Sequence, residues 1–306
     1  MAITGVMRLG EVALRVLDME DALHHYVNVL GLKQVAKDGD RIYLKCWDEH
    51  DHHSVILRRA DSAGMDHCAF KCREDTDLDR FADGAKEFGL EVTELPAAER
   101  LASGRRIRFQ LPTGHWTELY AHKDQNGNGL PLRNPDPFPD GLVGIAPGRL
   151  EHCFVYGPDI DATTRFFVEI LDFGVSERLE LPDGSSKACF LACNNAMHDI
   201  GFVEHAEPDK FHHLSFWLDS PDEIYRAALL LGKSNVPIDE GPTQHGIGRA
   251  KTIYFWDPSG NRNEVFSGSY LSYPDRPELT WEAAEIGKAI SYPQRRMADT
   301  FMTVLT

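Results

Sequence analysis

The sequence predicts an α+β fold of four β-α-β-β-β modules, paired into two half-barrel domains. Three observations carry this prediction. First, the chain repeats itself. Tyr26-Val27-Asn28-Val29-Leu30-Gly31-Leu32 returns as Phe167-Val168-Glu169-Ile170-Leu171-Asp172-Phe173, 141 positions on (167 − 26), and Met65-Asp66-His67-Cys68-Ala69-Phe70 returns as Phe211-His212-His213-Leu214-Ser215-Phe216, 146 positions on (213 − 67). Agreement of separate stretches at nearly constant offsets implies a duplicated unit, the second copy carrying a small insertion. Second, each half divides again into a strand, a helix and about three strands, at roughly 6–60, 65–121, 149–205 and 211–267. Third, Pro112-Thr113-Gly114 and Pro258-Ser259-Gly260 occupy equivalent places and read as hairpin loops between strands.

The elements follow in order. A short strand runs on from Arg8-Leu9-Gly10-Glu11. Asp18 then opens a helix that sets Met19, Ala22, Leu23, Tyr26, Val27 and Leu30 on one face, and Gly31 stops it. Asp48-Glu49-His50-Asp51-His52-His53 lies between the strand-like runs Ile42–Trp47 and Ser54–Arg59 and reads as a solvated hairpin loop. With the second module, residues 1–121 form an N-terminal domain. Residues 122–146, rich in proline and glycine and without periodicity, are the linker. Residues 147–268 form the second domain, whose first helix begins near Asp161. Its last helix has a capping box at Ser220 and Glu223, proline at the first helical position, and a buried face of Ile224, Ala227, Ala228 and Leu231 that Gly232 ends. Residues 269–306 form a tail with a helix near Trp281–Ile290.

Composition narrows the function classes. No apolar run approaches the roughly 18 residues of a membrane span, and no secretory signal is visible. The net charge of −16 with no basic block argues against nucleic acid or an anionic membrane as partner. Six cysteines without a CxxC pair suit a reduced, cytoplasmic protein. The 14 histidines are the count that needs a reason.

Two of them supply it. His152 and His213 stand in the first strands of modules three and four, and Glu264 stands in the last strand of module four. Two histidines and one carboxylate form the facial triad of a non-haem Fe(II) site, which leaves positions open for a bidentate ligand and dioxygen. The same positions in the first half hold Glu11, His67 and Glu118, which we read as a vestigial copy.

Leu150-Glu151-His152, His212-His213-Leu214-Ser215-Phe216 and the run from Tyr254 through Asp257-Pro258-Ser259-Gly260 to Glu264-Val265-Phe266 carry a family likeness. Together with the chain termini, they resemble the extradiol ring-cleavage dioxygenases of the vicinal oxygen chelate superfamily, the glyoxalase-like fold, and within it the catechol-cleaving branch. The resemblance implies Fe(II) held by His152, His213 and Glu264, a homotetramer, and cleavage of catechol or alkylcatechols by O2 to 2-hydroxymuconate semialdehyde-type products. It further implies that His198 stands beside the oxygen site and transfers protons, and that His245 and Tyr254 hydrogen-bond the substrate oxygens. It makes Val203, Ile290 and Phe301 apolar pocket residues. The alternatives are a dioxygenase for a dihydroxybiphenyl or a carboxylated catechol, which would need a pocket arginine or lysine not evident in the sequence, and a metal-free binding module on the same fold.

Overall fold

Two mixed sheets, of eight and nine strands, carry the chain in a computed structural model that describes residues 5–306. The first four residues of the N-terminal stretch lie outside the described residues. Module one is β1 (Val6–Val16), α1 (Met19–Leu23), β2 (Lys33–Asp38), β3 (Arg41–Lys45) and β4 (Val55–Arg59). Module two is β5 (Gly64–Cys72), α2 (Asp75–Phe88), β6 (Val92–Leu95), β7 (Arg106–Gln110) and β8 (Trp116–Tyr120). Module three is β9 (Arg149–Gly157), α3 (Ile160–Glu169), β10 (Gly174–Glu180), β11 (Ser186–Ala192) and β12 (Ile200–Glu204). Module four is β13 (Lys210–Leu218), α4 (Pro221–Lys233), β14 (Ile238–Gln244), β15 (Lys251–Trp256) and β16 (Arg262–Ser267). The tail adds β17 (Leu279–Glu282), α5 (Ile286–Ile290) and α6 (Thr300–Thr303).

The strand orders are β2-β3-β4-β1-β5-β8-β7-β6 and β14-β15-β16-β13-β9-β12-β11-β10-β17. Each sheet therefore joins two modules through their first strands, β1 against β5 and β9 against β13, both antiparallel. That seam matters for function, because it sets the two opening strands of a pair side by side at the centre of a curved sheet. Bulges at Phe211/His213 and Ser215/Phe216 re-aim side chains along β13 where the histidines stand. The two predicted hairpins are present, with Gly114 and Gly260 at φ 91° and 93° in the left-handed region that favours glycine.

Several expectations are corrected in detail. The first helix is capped by the Asp18 carboxylate but loses α geometry after Leu23, and His24–Val29 continues as a π-helical turn. Helix α4 has its capping box, yet it runs through Gly232, and the left-handed turn falls instead at Asn235, φ 55°. The helix expected over Trp281–Ile290 splits. Leu279–Glu282 pairs in parallel with β10, and helical geometry is confined to Ala283–Glu285 and Ile286–Ile290. The Asp48–His53 loop is not simply solvated. Asp51 is buried against Arg8 at 2.7 Å and Lys71 at 2.8 Å, and His53 is buried beside Glu11.

Buried positions of α1, α2, α3 and α4 join one hydrophobic cluster that contains residues of both halves. Phe70 of β5 meets Phe167 of α3 and Phe173 edge-on, and Phe109 of β7 meets Phe166.

Candidate metal centre

His152, His213 and Glu264 converge although 61 and 112 residues separate them from one another in the chain. β9, β13 and β16 are adjacent strands, with Ser215 paired to His152 on one side and to Glu264 on the other. Paired residues share a sheet face, so the row Glu264–Ser215–His152 and, two residues back, His213 all project into the same concavity. The three ligand atoms form a triangle. His152 Nε2 lies 3.1 Å and His213 Nε2 lies 3.3 Å from Glu264 Oε2, and the two nitrogens are 3.3 Å apart.

This donor set fits a divalent first-row metal. Donors bound at about 2.1 Å with bonds at right angles sit roughly 3.0 Å apart, so the triangle needs little rearrangement to close on one ion from one side. The protonation pattern agrees. Arg262 can only donate, and its guanidinium lies 3.2 Å from His212 Nδ1, so that nitrogen carries a lone pair. His213 Nδ1, 2.7 Å away, must then donate to it, which leaves the His213 Nε2 lone pair facing the triangle. Burial lowers His213 to about 4, so the ring stays neutral as a ligand must. Burial works to raise the Glu264 carboxyl, but the histidines gathered around it, His152 foremost, hold it well below the usual carboxylate range. Meanwhile Thr252 donates its hydroxyl to Glu264 Oε1, which leaves Oε2 for the triangle. The Ser215 hydroxyl and His152 Nδ1 are buried without a hydrogen-bond partner.

The nine residues singled out in the second half of the sequence line one cavity of about 70 Å³. The His198 ring lies 4.2 Å from the His152 ring, and burial first, then the neighbouring His152, lowers it well below its ordinary value. His245 Nδ1 donates to the Ile290 carbonyl, which fixes its tautomer. Its Nε2 therefore accepts from the Tyr254 hydroxyl at 2.8 Å. Burial, then the Glu264 charge, pushes Tyr254 well above its ordinary value, so it remains a hydroxyl donor. Val203, Ile290 and Phe301 close the apolar side, the Phe301 ring standing 4.9 Å from that of Tyr254.

Several site residues carry no periodic or motif signal of their own. His212 would point away from His213 on a regular strand, and the bulge at Phe211/His213 is what brings it to bear. Phe154 stacks on the His213 ring with planes 4° apart, and it fits there because residue 201 is glycine; a Cβ at 201 would fall 1.6 Å from the Phe154 ring. Lys187, not found from sequence, also lines the cavity, with Nζ donating to the Glu204 carbonyl at 2.8 Å.

Glu11, His67 and Glu118 come together in the first half with the same burial, but cations already stand among them. Arg106 donates to Glu11 at 2.5 and 3.0 Å and to Glu118 at 3.0 Å, Lys123 donates to Glu11, and Arg100 reaches Glu118 at 2.6 Å. The carboxylate pair thus has its countercharge covalently built in.

Comparison with known proteins runs the same way in both halves. Residues 65–124 match the family described as catechol 2,3-dioxygenase-like N-terminal domain, and residues 149–265 match the glyoxalase/bleomycin resistance protein/dioxygenase superfamily. The chain is 45% identical to a metapyrocatechase of Pseudomonas sp. (strain CF600) over 304 residues, 99% of each chain. It is 30% identical to a manganese-dependent 2,3-dihydroxybiphenyl 1,2-dioxygenase of Geobacillus genomosp. 3 over 93% of each. Among solved structures, the 2,3-dioxygenase LapB of Pseudomonas sp. KL28 superposes with a TM-score of 0.90 at 45% identity, covering 92% of this chain and 99% of that one. Likeness that spans both sheets and the tail alike is inheritance of the whole architecture, and the chain belongs to the extradiol ring-cleavage dioxygenases of the vicinal oxygen chelate superfamily.

Proposed function

We propose that the chain is an Fe(II)-dependent dioxygenase that opens catechol or an alkylcatechol beside its two hydroxyls, giving 2-hydroxymuconate semialdehyde-type products. The observation that carries this reading is the joining of a three-donor triangle and three proton-handling side chains in one largely apolar cavity. His152, His213 and Glu264 would hold the iron, which when bound supplies a site where both catechol oxygens and dioxygen coordinate together.

The remaining work falls to the chain's own groups. A catechol entering the site sheds a phenolic proton. His198 is neutral at pH 7 because burial disfavours its cation, so it has a free lone pair to take a proton and returns it readily. The Tyr254 hydroxyl, held protonated by burial and by the Glu264 charge, donates to a deprotonated substrate oxygen. His245, its Nδ1 proton tied to the Ile290 carbonyl, offers Nε2 as an acceptor. Val203, Ile290 and Phe301 exclude water from the ring and favour an uncharged substituent. Lys187 is the one cation on the cavity wall, and its bond to the Glu204 carbonyl engages its charge away from a substrate carboxylate. The whole-length match to dioxygenases sets aside the metal-free binding module. The same reading carries a cytoplasmic homotetramer. Six free cysteines suit that compartment, and among the described residues no helix is long and apolar enough to cross a membrane.

The test is direct. Protein reconstituted anaerobically with Fe(II) is mixed with catechol in air, and absorbance of the yellow semialdehyde is followed. Absence of product from every catechol tried, with iron bound, refutes the proposal. His213→Ala should lose iron, whereas His198→Phe should keep iron and lose turnover; equal iron loss in both would overturn the division of roles.

A further inference from the structure

The duplicated fold duplicates the pocket as well as the triad. In the catalytic half, Ala188 of β11 pairs with Val203 of β12, and Val203 pairs with Tyr156 of β9. In the first half the matching row is Arg41 of β3, Arg58 of β4 and Arg15 of β1. Tyr254 of β15 has its counterpart in Arg108 of β7 at the 146-residue offset. An apolar and hydroxyl-bearing wall in one half is thus a wall of guanidinium groups in the other. These groups line a cavity of about 540 Å³ over the Glu11/His67/Glu118 cluster.

The charges in this cavity do not cancel. Five arginines line it against three aspartates, Asp40, Asp66 and Asp209. Asp66 alone serves two of them, Arg58 at 2.5 and 2.8 Å and Arg15 at 3.4 Å, and Arg100 is engaged by Glu118. Among the described residues, Arg41 forms no ion pair, and Arg108 comes no nearer to a carboxylate than 4.0 Å, at Glu118. The Arg108 Nε is buried without a hydrogen-bond partner, and its guanidinium lies over the Trp116 ring at 4.3 Å. The carboxylates below supply no spare charge, because Arg106 and Lys123 already neutralise them. A concave surplus of positive charge in a chain of net charge −16 concentrates anions from solution.

We propose that this N-terminal cavity binds a small organic carboxylate. Arg41 and Arg108 supply the forked donors that pair with its two oxygens. Tyr43, Ile56 and Trp116 supply an apolar wall for its body. The body is what separates a carboxylate from inorganic phosphate, which would leave that wall unused. Burial lowers Arg108, Glu118 and Asp66 work against that shift, and Arg100 and Arg41 add to it. The inference stands whether or not the other half cleaves catechol.

Benzoate and inorganic phosphate, titrated separately into the iron-loaded full chain at low ionic strength by calorimetry, test it. Benzoate should bind saturably at about one per chain and quench Trp116 emission over the same range, the quench disappearing in Trp116→Phe. Its affinity should fall at least roughly tenfold in Arg41→Ala/Arg108→Ala, the loss of two charge-assisted pairs. Catechol turnover and iron content in that variant should be unchanged. Binding should persist in His213→Ala, which separates this site from the metal centre. No saturable benzoate binding below about 10 mM (an affinity of under 3 kcal/mol), equal affinity in the double variant, or loss of binding only in His213→Ala would overturn the proposal. Phosphate binding as tightly as benzoate would overturn the assignment to an organic carboxylate. Should the double variant unfold, the single variants Arg41→Gln and Arg108→Gln are read in the same titration.

Discussion

Glu177→Gln should loosen the loop that carries His245. The Glu177 carboxylate of β10 is 1% exposed and accepts three hydrogen bonds: Gly248 N–H at 2.6 Å and Tyr270 O–H at 2.7 Å on Oε1, and Trp281 Nε1–H at 2.6 Å on Oε2. It thereby ties the loop after His245, the segment after β16 and the tail strand β17 to one point. All three partners are donors. An amide can satisfy two of them through its oxygen, but its NH2 then faces the Trp281 N–H with nothing to accept. The substitution forfeits one charge-assisted bond, about 1.5–3 kcal/mol, and leaves buried donors unsatisfied, about 1–3 kcal/mol. A net loss of about 2–4 kcal/mol is expected, allowing for relaxation. At roughly 2.1 cal/mol/K per residue over a chain of this length, that lowers Tm by roughly 3–6 °C. The assay is thermal unfolding of iron-loaded protein at fixed concentration, paired with steady-state catechol turnover. Because His245 N–H donates to the Ala250 carbonyl across the same loop, kcat should fall with the stability. A Gln variant with the Tm and kcat of the parent would refute the reasoning, for it would mean the carboxylate charge plays no part in holding the loop.

Three further outcomes follow. Thr252→Val removes the donor that reserves Glu264 Oε2 for the triangle, and metal affinity measured by chelator competition should weaken roughly 10–100-fold. Metal analysis should find about one iron per chain, because Arg106 and Lys123 already neutralise Glu11 and Glu118; two per chain would contradict that. His115 is buried, with Nε2 donating to the Lys210 carbonyl at 3.1 Å, and burial lowers it to about 4. Below pH 6.5 the unfolded chain binds a proton that the folded chain refuses, so stability falls as pH drops from 6.5 to 4, by up to about 3 kcal/mol from this residue. In His115→Gln the urea midpoint should fall less steeply across that window.

The repeat made most of the architecture legible, because duplicated strands must meet in duplicated ways. Placing His152, His213 and Glu264 required only knowing which strands open and close a module. What stayed hidden depends on departures from regular geometry. His212 reaches His213 through a bulge, Phe154 reaches it through the missing side chain of Gly201, and Thr252 bears on Glu264 from the neighbouring strand. None of these has a periodic signature. The tail departs from its helical pattern because the Glu177 carboxylate and the β10 edge give Trp281 and its neighbours a strand partner. The cations of the first half have no sequence signature either, because Arg106 and Lys123 stand outside the repeated ligand positions whose carboxylates they hold.

The interior shared by the two halves bears on how such a chain can evolve. Phe70 and Phe109 of one half complete the packing around Phe166 and Phe167 of the other, and Tyr26 of the first module hydrogen-bonds Asp257 in the last at 3.1 Å. After the duplication the concave faces of the two copies were free to diverge, since nothing in the core reads the identity of a ligand. Neither copy was free to lose its volume. Selection can therefore rewrite the concave face of the first half, as the arginine wall records, while deleting that half would strand the other with an open interior.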